Sequence, residues 1–341
     1  MKNRITFWPG CICVICLVIL VLDAETAING AKDGVLLCIN VILPSLFPFF
    51  ILTAILNSIL AGTQWNILRP LGKLCGIPAG GESMLLLGLL GGYPVGAQCI
   101  NQAYRNKIID RSTAQRMLGF CNNAGPAFIF GMLGSLFSSK AAPWCLWCTQ
   151  IMSAIFVGII LPGKTRSVCL ISEKNKVNLT TAIDISIKNL AKICAWVVLF
   201  RVLLVFLQRW FMWMLPSAWQ TVITGILELS NGCISVKDLQ PQGLQYILAT
   251  GMISFGGLCV GMQTQSVTQD IGLGLYFPGK LLQAYISIIF SWITQYLIFA
   301  PQDRISLPWW VGICLIVPYF YLYLRKSKKV VAISGLPMYN K

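Results

Sequence analysis

Residues 117–137 read MLGFCNNAGPAFIFGMLGSLF, and the reading of this stretch decides the fold. It is uncharged and long enough to cross the roughly 30 Å of hydrocarbon in a bilayer as one helix. Yet Asn122 and Asn123 stand side by side within it, just before Gly125 and Pro126. Proline removes a backbone donor and pushes the residue before it out of the helical region. Lipid does not tolerate such a break, because nothing there satisfies the freed backbone groups. A segment of this kind belongs inside a bundle of membrane helices, against protein or a water-filled cavity.

The rest of the chain supplies that bundle. Of the 341 residues, 56% are hydrophobic and only 11% charged, whereas a soluble domain carries about a quarter charged residues. Apolar stretches of spanning length occur at residues 5–22, 35–60, 117–137, 144–161, 193–215, 244–262, 275–300 and 309–324. Two further apolar pieces, 84–100 and 220–234, are short and broken by glycine or polar residues, as segments that re-enter without crossing usually are. The expectation is an all-α polytopic transmembrane bundle of about eight spans plus two re-entrant hairpins.

Basic residues orient it, since Lys and Arg collect in cytoplasmic loops. Arg69 and Lys73 precede the piece at 84–100 while Arg105, Lys107, Arg111 and Arg116 follow it, so both its ends face the cytoplasm. Lys164, Arg166, Lys174, Lys176, Lys188 and Lys192 place the central connection inside, and Arg325, Lys326, Lys328 and Lys329 place the C-terminus there. Both termini are then cytoplasmic. Residues 1–34 form an N-terminal signal-anchor span, 164–192 a cytoplasmic linker, and 301–341 a final span with a basic tail. Residues 35–163 and 193–300 each read as span, short hairpin, interrupted span, span. Three crossings per unit force opposite orientations, which makes an inverted repeat of the kind that builds transporters.

Composition also excludes chemistry. There is no histidine, which removes His-based triads and imidazole proton shuttles, and most of the fourteen cysteines lie in apolar stretches where they act as small hydrophobes. Cys145 and Cys148 have C-x-x-C spacing without a second pair or a neighbouring charge, so no metal or redox site is expected there. The charge of +15 lies in short loops and at the two ends, the distribution of loops beside anionic lipid and not of a nucleic-acid binder. No enzyme, cofactor or metal is expected.

Four strings hold the candidate solute-binding residues. LGLLGGYPVGAQ, ending at Gln98, offers Gly92, Tyr93 and Pro94 at a hairpin tip. FCNNAGPAFIFG offers Asn122, Asn123, Gly125 and Pro126, with amides to hold a polar solute and freed carbonyls to coordinate a cation. LELSNGC offers Glu228 and Asn231, an acid that either binds a coupling proton or sodium ion or sits beside interfacial water. SFGGLCVGMQTQ offers Gly256, Gln263 and Gln265. Arg201, well inside its apolar stretch, either snorkels to the interface or pairs with Glu228 or a solute.

Together these strings resemble the sporulation integral membrane protein family of the YlbJ type, within the nucleoside-recognition or Gate-domain group. The resemblance implies a protein of the bacterial cell membrane in endospore formers, with two Gate-like repeats similar to parts of nucleoside and ferrous-iron transporters; no phosphate-loop string, and so no GTPase domain, is expected. It does not name a solute. The expected function is a transporter or permease for a small polar solute, with a non-transporting scaffold for spore assembly as the alternative. Membrane lipid and the solute are the expected partners, and glycine faces serve either a homodimer or internal packing.

Overall fold

The computed structural model describes residues 2–60, 66–162 and 177–306, and among these every regular element is helical. The first part comprises α1 (Lys2–Leu22), α2 (Ala24–Leu37), α3 (Leu43–Leu60), α4 (Arg69–Leu74), α5 (Glu82–Leu90), α6 (Val95–Arg105), α7 (Arg111–Leu118), α8 (Pro126–Phe128) and α9 (Ala142–Ile160). The second comprises α10 (Leu179–Trp210), α11 (Ser217–Leu227), α12 (Leu229–Ser235), α13 (Gln242–Phe255), α14 (Gly257–Val267) and α15 (Tyr276–Ile298). A π-turn at Cys38–Ile42 joins α2 to α3 without a break, and another at Ile129–Leu133 continues α8.

Five helical stretches among the described residues are long and apolar enough to cross a membrane: Ala24–Leu60, Ala142–Ile160, Leu179–Trp210, Gln242–Val267 and Tyr276–Ile298. This differs from the expected eight for identifiable reasons. Of α1, which contains the expected stretch 5–22, only Gly10–Leu22 has its side chains among the described residues; residues 117–137 are not one helix, and 309–324 lie outside the described residues.

Two helices also begin well before their apolar stretches, α2 at Ala24 instead of 35 and α10 at Leu179 instead of 193. Caps and packing set a helix start, and hydropathy does not register either. Asp23 accepts from the Thr26 amide at 3.4 Å, and Asn178 from that of Thr181 at 2.8 Å. The polar turns of α2 then lie along α10. Arg201, instead of snorkelling or meeting Glu228, pairs with Asp33 at 2.9 Å, and Arg209 pairs with Asp23 at 3.3 Å. Gly30 and Gly34 make this approach possible, since a methyl at Gly34 would sit 2.9 Å from the Val198 α-carbon. These glycines therefore serve internal packing, as small residues do between membrane helices.

The two short apolar pieces form helix pairs. Helix α5, with nine residues, is about 14 Å long, and α6 and α11, with eleven each, about 16 Å. None reaches across about 30 Å of hydrocarbon. Each pair packs on itself, α5 against α6 and α11 against α12.

The two interrupted segments, α7–α8 with its π-turn and α13–α14, run antiparallel. At one end Arg105 pairs with Asp270 at 2.6 Å, and Arg111 and Gln115 donate to the Ile271 carbonyl at 3.0 and 2.8 Å. At the other end the Ser138 hydroxyl donates to Gln242 at 2.8 Å. Arg116, buried, donates to the carbonyls of Cys75, Gly76, Gly158 and Leu161. It thereby caps the C-terminal ends of α4 and α9, where the helix dipoles favour a cation.

Candidate functional site

The first break follows from Pro126. Helix α7 ends at Leu118, Gly125 takes an extended conformation (φ −80°, ψ 163°), and Pro126 opens α8 at its first turn, where no amide donor is needed. Helices α5 and α6 flank the unwound residues. The Asn123 amide donates to the Gly88 carbonyl at 3.3 Å, and the Ala97 amide donates to Asn122 Oδ1 at 3.3 Å. The paired asparagines then turn to different partners. Asn122 Nδ2 donates to the Thr264 hydroxyl on α14 at 3.0 Å, while Asn123 Nδ2 donates to the Phe120 carbonyl at 2.7 Å.

The second break is made by Gly256 and Gly257, whose φ values of +86° and +77° belong to the left-handed region that favours glycine. Tyr93 reaches it from the hairpin tip and donates its hydroxyl to the Ile253 carbonyl at 3.2 Å. That hydroxyl is also where a methyl on Gly256 would go, at 2.9 Å. Tyr93→Phe removes only this bond and is expected to lower stability by about 1 kcal/mol, read as a small fall in the Tm of detergent-purified protein.

Between the breaks lies a cavity of about 40 Å³ lined by Gly92, Tyr93, Ala124, Gly125, Glu228, Ser230, Val260 and Gln263 among others. Glu228, 1% exposed, is the N-cap of α12. Its carboxylate accepts from the Ser230 amide at 3.0 Å and from both the amide and the side-chain nitrogen of Asn231 at 2.7 Å. The acid is therefore fully engaged by its own helix end while forming part of the cavity wall.

Lys280, fully buried on α15, is the residue that reasoning from sequence missed. Its ammonium donates to Asn123 Oδ1 at 2.9 Å and Gln283 Oε1 at 2.8 Å, and it lies 5.2 Å from the centre of the Tyr93 ring. Gln283 Nε2 in turn donates to Asn123 Oδ1 at 2.8 Å and to the Gln150 carbonyl at 3.3 Å. From Gln150 a line of hydroxyls continues through Ser153, Ser287 and Ser254. The signal was present in the sequence, because Lys280 is the one charged residue in the apolar stretch 275–300.

Of the twelve expected site residues, Gly92, Tyr93, Gly125, Glu228 and Gln263 share the cavity wall. Asn122 and Asn123 lie behind the first break, Asn231 is held by Glu228, and Gly256 forms the second break. Pro94 caps α6 and Pro126 opens α8. Gln265 does not join them: it is exposed on α14, two residues past Gln263 and so on another face. Cys145 and Cys148 are free, and no metal-holding cluster occurs among the described residues.

One string does match phosphate-loop spacing, GIILPGKT at residues 158–165. It lacks the context that gives such a loop its chemistry, in which a strand leads in. Here Gly158 and the two residues after it belong to α9, and the Gly158 carbonyl holds Arg116.

No family model matches the chain, and no solved structure does. The chain is 29% identical over 149 residues to the sporulation integral membrane protein YlbJ of Bacillus subtilis (strain 168). The match covers 41% of this chain and 34% of that relative, so the chain spans about a third of its relative's length. With its long apolar helices, this likeness makes the chain a multi-pass integral membrane protein similar to a sporulation protein.

Proposed function

We propose that the chain is a transporter or permease for a small polar solute, linked to endospore formation through its likeness to YlbJ. In this reading residues 35–163 and 193–300 are Gate-like repeats of opposite orientation, α5–α6 and α11–α12 are re-entrant hairpins, and both termini are cytoplasmic. The observation that carries it is the meeting of the two breaks. Two antiparallel interrupted segments face one cavity, and each hairpin adds a polar residue to its wall, Tyr93 from the first and Glu228 from the second. Discontinuous segments meeting at the depth of short hairpins are how transporters expose backbone to a solute while keeping it from lipid.

A second cavity supports a route. It measures about 180 Å³ and is lined by the carboxamides Asn57, Gln98, Gln102, Asn106 and Asn189. The two cavities follow the same faces of α3 and α10, with Asn189 and Ile185 in the larger one and Ile193 and Val197 in the smaller, at successive helical turns. The polar chamber holds a solute of about one ring, since 150 Å³ suffices for benzene. The inner cavity holds roughly two or three waters. A solute passes only if the breaks move apart, which is alternating access in its simplest form.

The competing reading, a non-transporting scaffold, is favoured by one observation. Asn122, Asn123 and Glu228 all make their hydrogen bonds within the protein. Accessibility separates the two. Single cysteines at Ala124, Ser230 and Val260 on a cysteine-free background are expected to react with small methanethiosulfonate reagents in intact cells or inverted vesicles. Three unreactive positions from both sides would make the breaks dry packing features and leave the scaffold standing.

A further inference from the structure

The environment of Lys280 is that of a bound cation. Two amide oxygens approach its nitrogen at 2.9 and 2.8 Å, and the Tyr93 ring faces it at 5.2 Å. The orientation of both amides is fixed by other bonds: Asn123 Nδ2 is committed to the Phe120 carbonyl and Gln283 Nε2 to Asn123 Oδ1. Both oxygens are thereby turned toward the ammonium, and the ring adds the negative face of its quadrupole. No carboxylate pairs with Lys280 among the described residues. Asn123 also belongs to the first break, where unwound segments of membrane proteins coordinate sodium with backbone and side-chain oxygens.

We propose that the Lys280 ammonium is a tethered cation occupying a monovalent-cation site formed by Asn123, Gln283 and the face of Tyr93. Two amide oxygens and an aromatic face, with no carboxylate beside them, are neutral groups that would stand in for part of the hydration shell of a free monovalent ion as they do for the ammonium. For the transport reading, on which only this consequence rests, the chain then works without free sodium, since the site sodium would use is already filled.

The test uses purified full-length protein and needs no solute. Lys280→Ala empties the site, and methylammonium or sodium supplied in solution should refill it. The expected result is a saturable rise in the Tm of Lys280→Ala of roughly 3 °C or more with methylammonium or sodium chloride, and none with choline chloride, whose cation is too bulky. Wild type and the volume-filling Lys280→Met should respond equally to all three salts. A folded Lys280→Ala that is indifferent to the cation overturns the proposal. So does failure of both Lys280→Ala and Lys280→Ser to yield folded protein in any of the salts, because the site would then need the tether and not the charge. A cation response in a chain whose Ala124, Ser230 and Val260 cysteines stay unreactive would keep the cation site and remove transport.

Discussion

Gly88→Ala is expected to prevent the first break from forming. A methyl at this position would overlap the carbonyl oxygen of Cys121, a backbone atom of the unwound segment, and a methyl at Gly96 on the other arm would overlap the same oxygen. Neither neighbour is a flexible side-chain tip that could swing away. Relief therefore requires α5 to withdraw from residues 121–125, which breaks the bond from the Asn123 amide to the Gly88 carbonyl and takes Asn123 from Lys280. The expected cost exceeds about 4 kcal/mol, the range reserved for overpacking and broken polar networks. Gly10→Ala is the control, since a methyl there meets nothing within 4 Å. Size-exclusion profiles of detergent extracts should show monodisperse protein for the control and little or none for Gly88→Ala. Equal profiles would mean that α5 does not hold the unwound segment.

How much of this was legible in the sequence depends on the physics behind each feature. The first break was legible, because Gly125–Pro126 beside two asparagines cannot continue a lipid-exposed helix. That the two short apolar pieces do not form long helices was legible from their glycine and polar interruptions, and each is a pair of short helices. The starts of α2 and α10 were not, because they depend on Asp23 and Asn178 as caps and on the pairing of Asp33 with Arg201, which hydropathy reads as loop. Charge pairing across the fold is invisible to a window that slides along one segment. Arg201 shows the same point: its partner lies on a helix far away in the chain.

The site was half legible. Polar residues at the breaks were singled out, and the fold does gather Tyr93, Gly125, Glu228 and Gln263 around one cavity. Gln265 was carried along by nearness in sequence, although two positions on a helix turn it to a different face. Lys280 was passed over because a single charge within an apolar stretch reads as a blemish, whereas in a membrane interior it marks function or an interaction partner. Lys280 and Glu228 have different hydrogen-bond partners, and Tyr93 is what links them: its ring faces Lys280, and it lines the cavity that Glu228 also lines.

Glu228 decides whether that acid holds the structure or works in the cavity. Glu228→Ala leaves the Ser230 and Asn231 amides and the Asn231 side chain without their acceptor in a buried position. Bonds to a charged acceptor contribute about 1.5–3 kcal/mol each, but losses at one cap are not additive. The expected cost is about 3 kcal/mol or more, with a correspondingly large fall in Tm. Glu228→Gln keeps one acceptor oxygen and the side-chain length, so its expected cost is about 1–2 kcal/mol. The informative comparison sets stability against cavity access in the same variants, using the Val260 cysteine as reporter. If Glu228 is only a cap, reactivity at position 260 should follow the loss of stability, small for Gln and large for Ala. If its charge draws cations into the cavity, Glu228→Gln should keep most of its Tm. It should then lose the preference of position 260 for a cationic over an anionic thiol reagent of equal size. A wild-type cavity with no such preference would leave Glu228 as a helix cap alone.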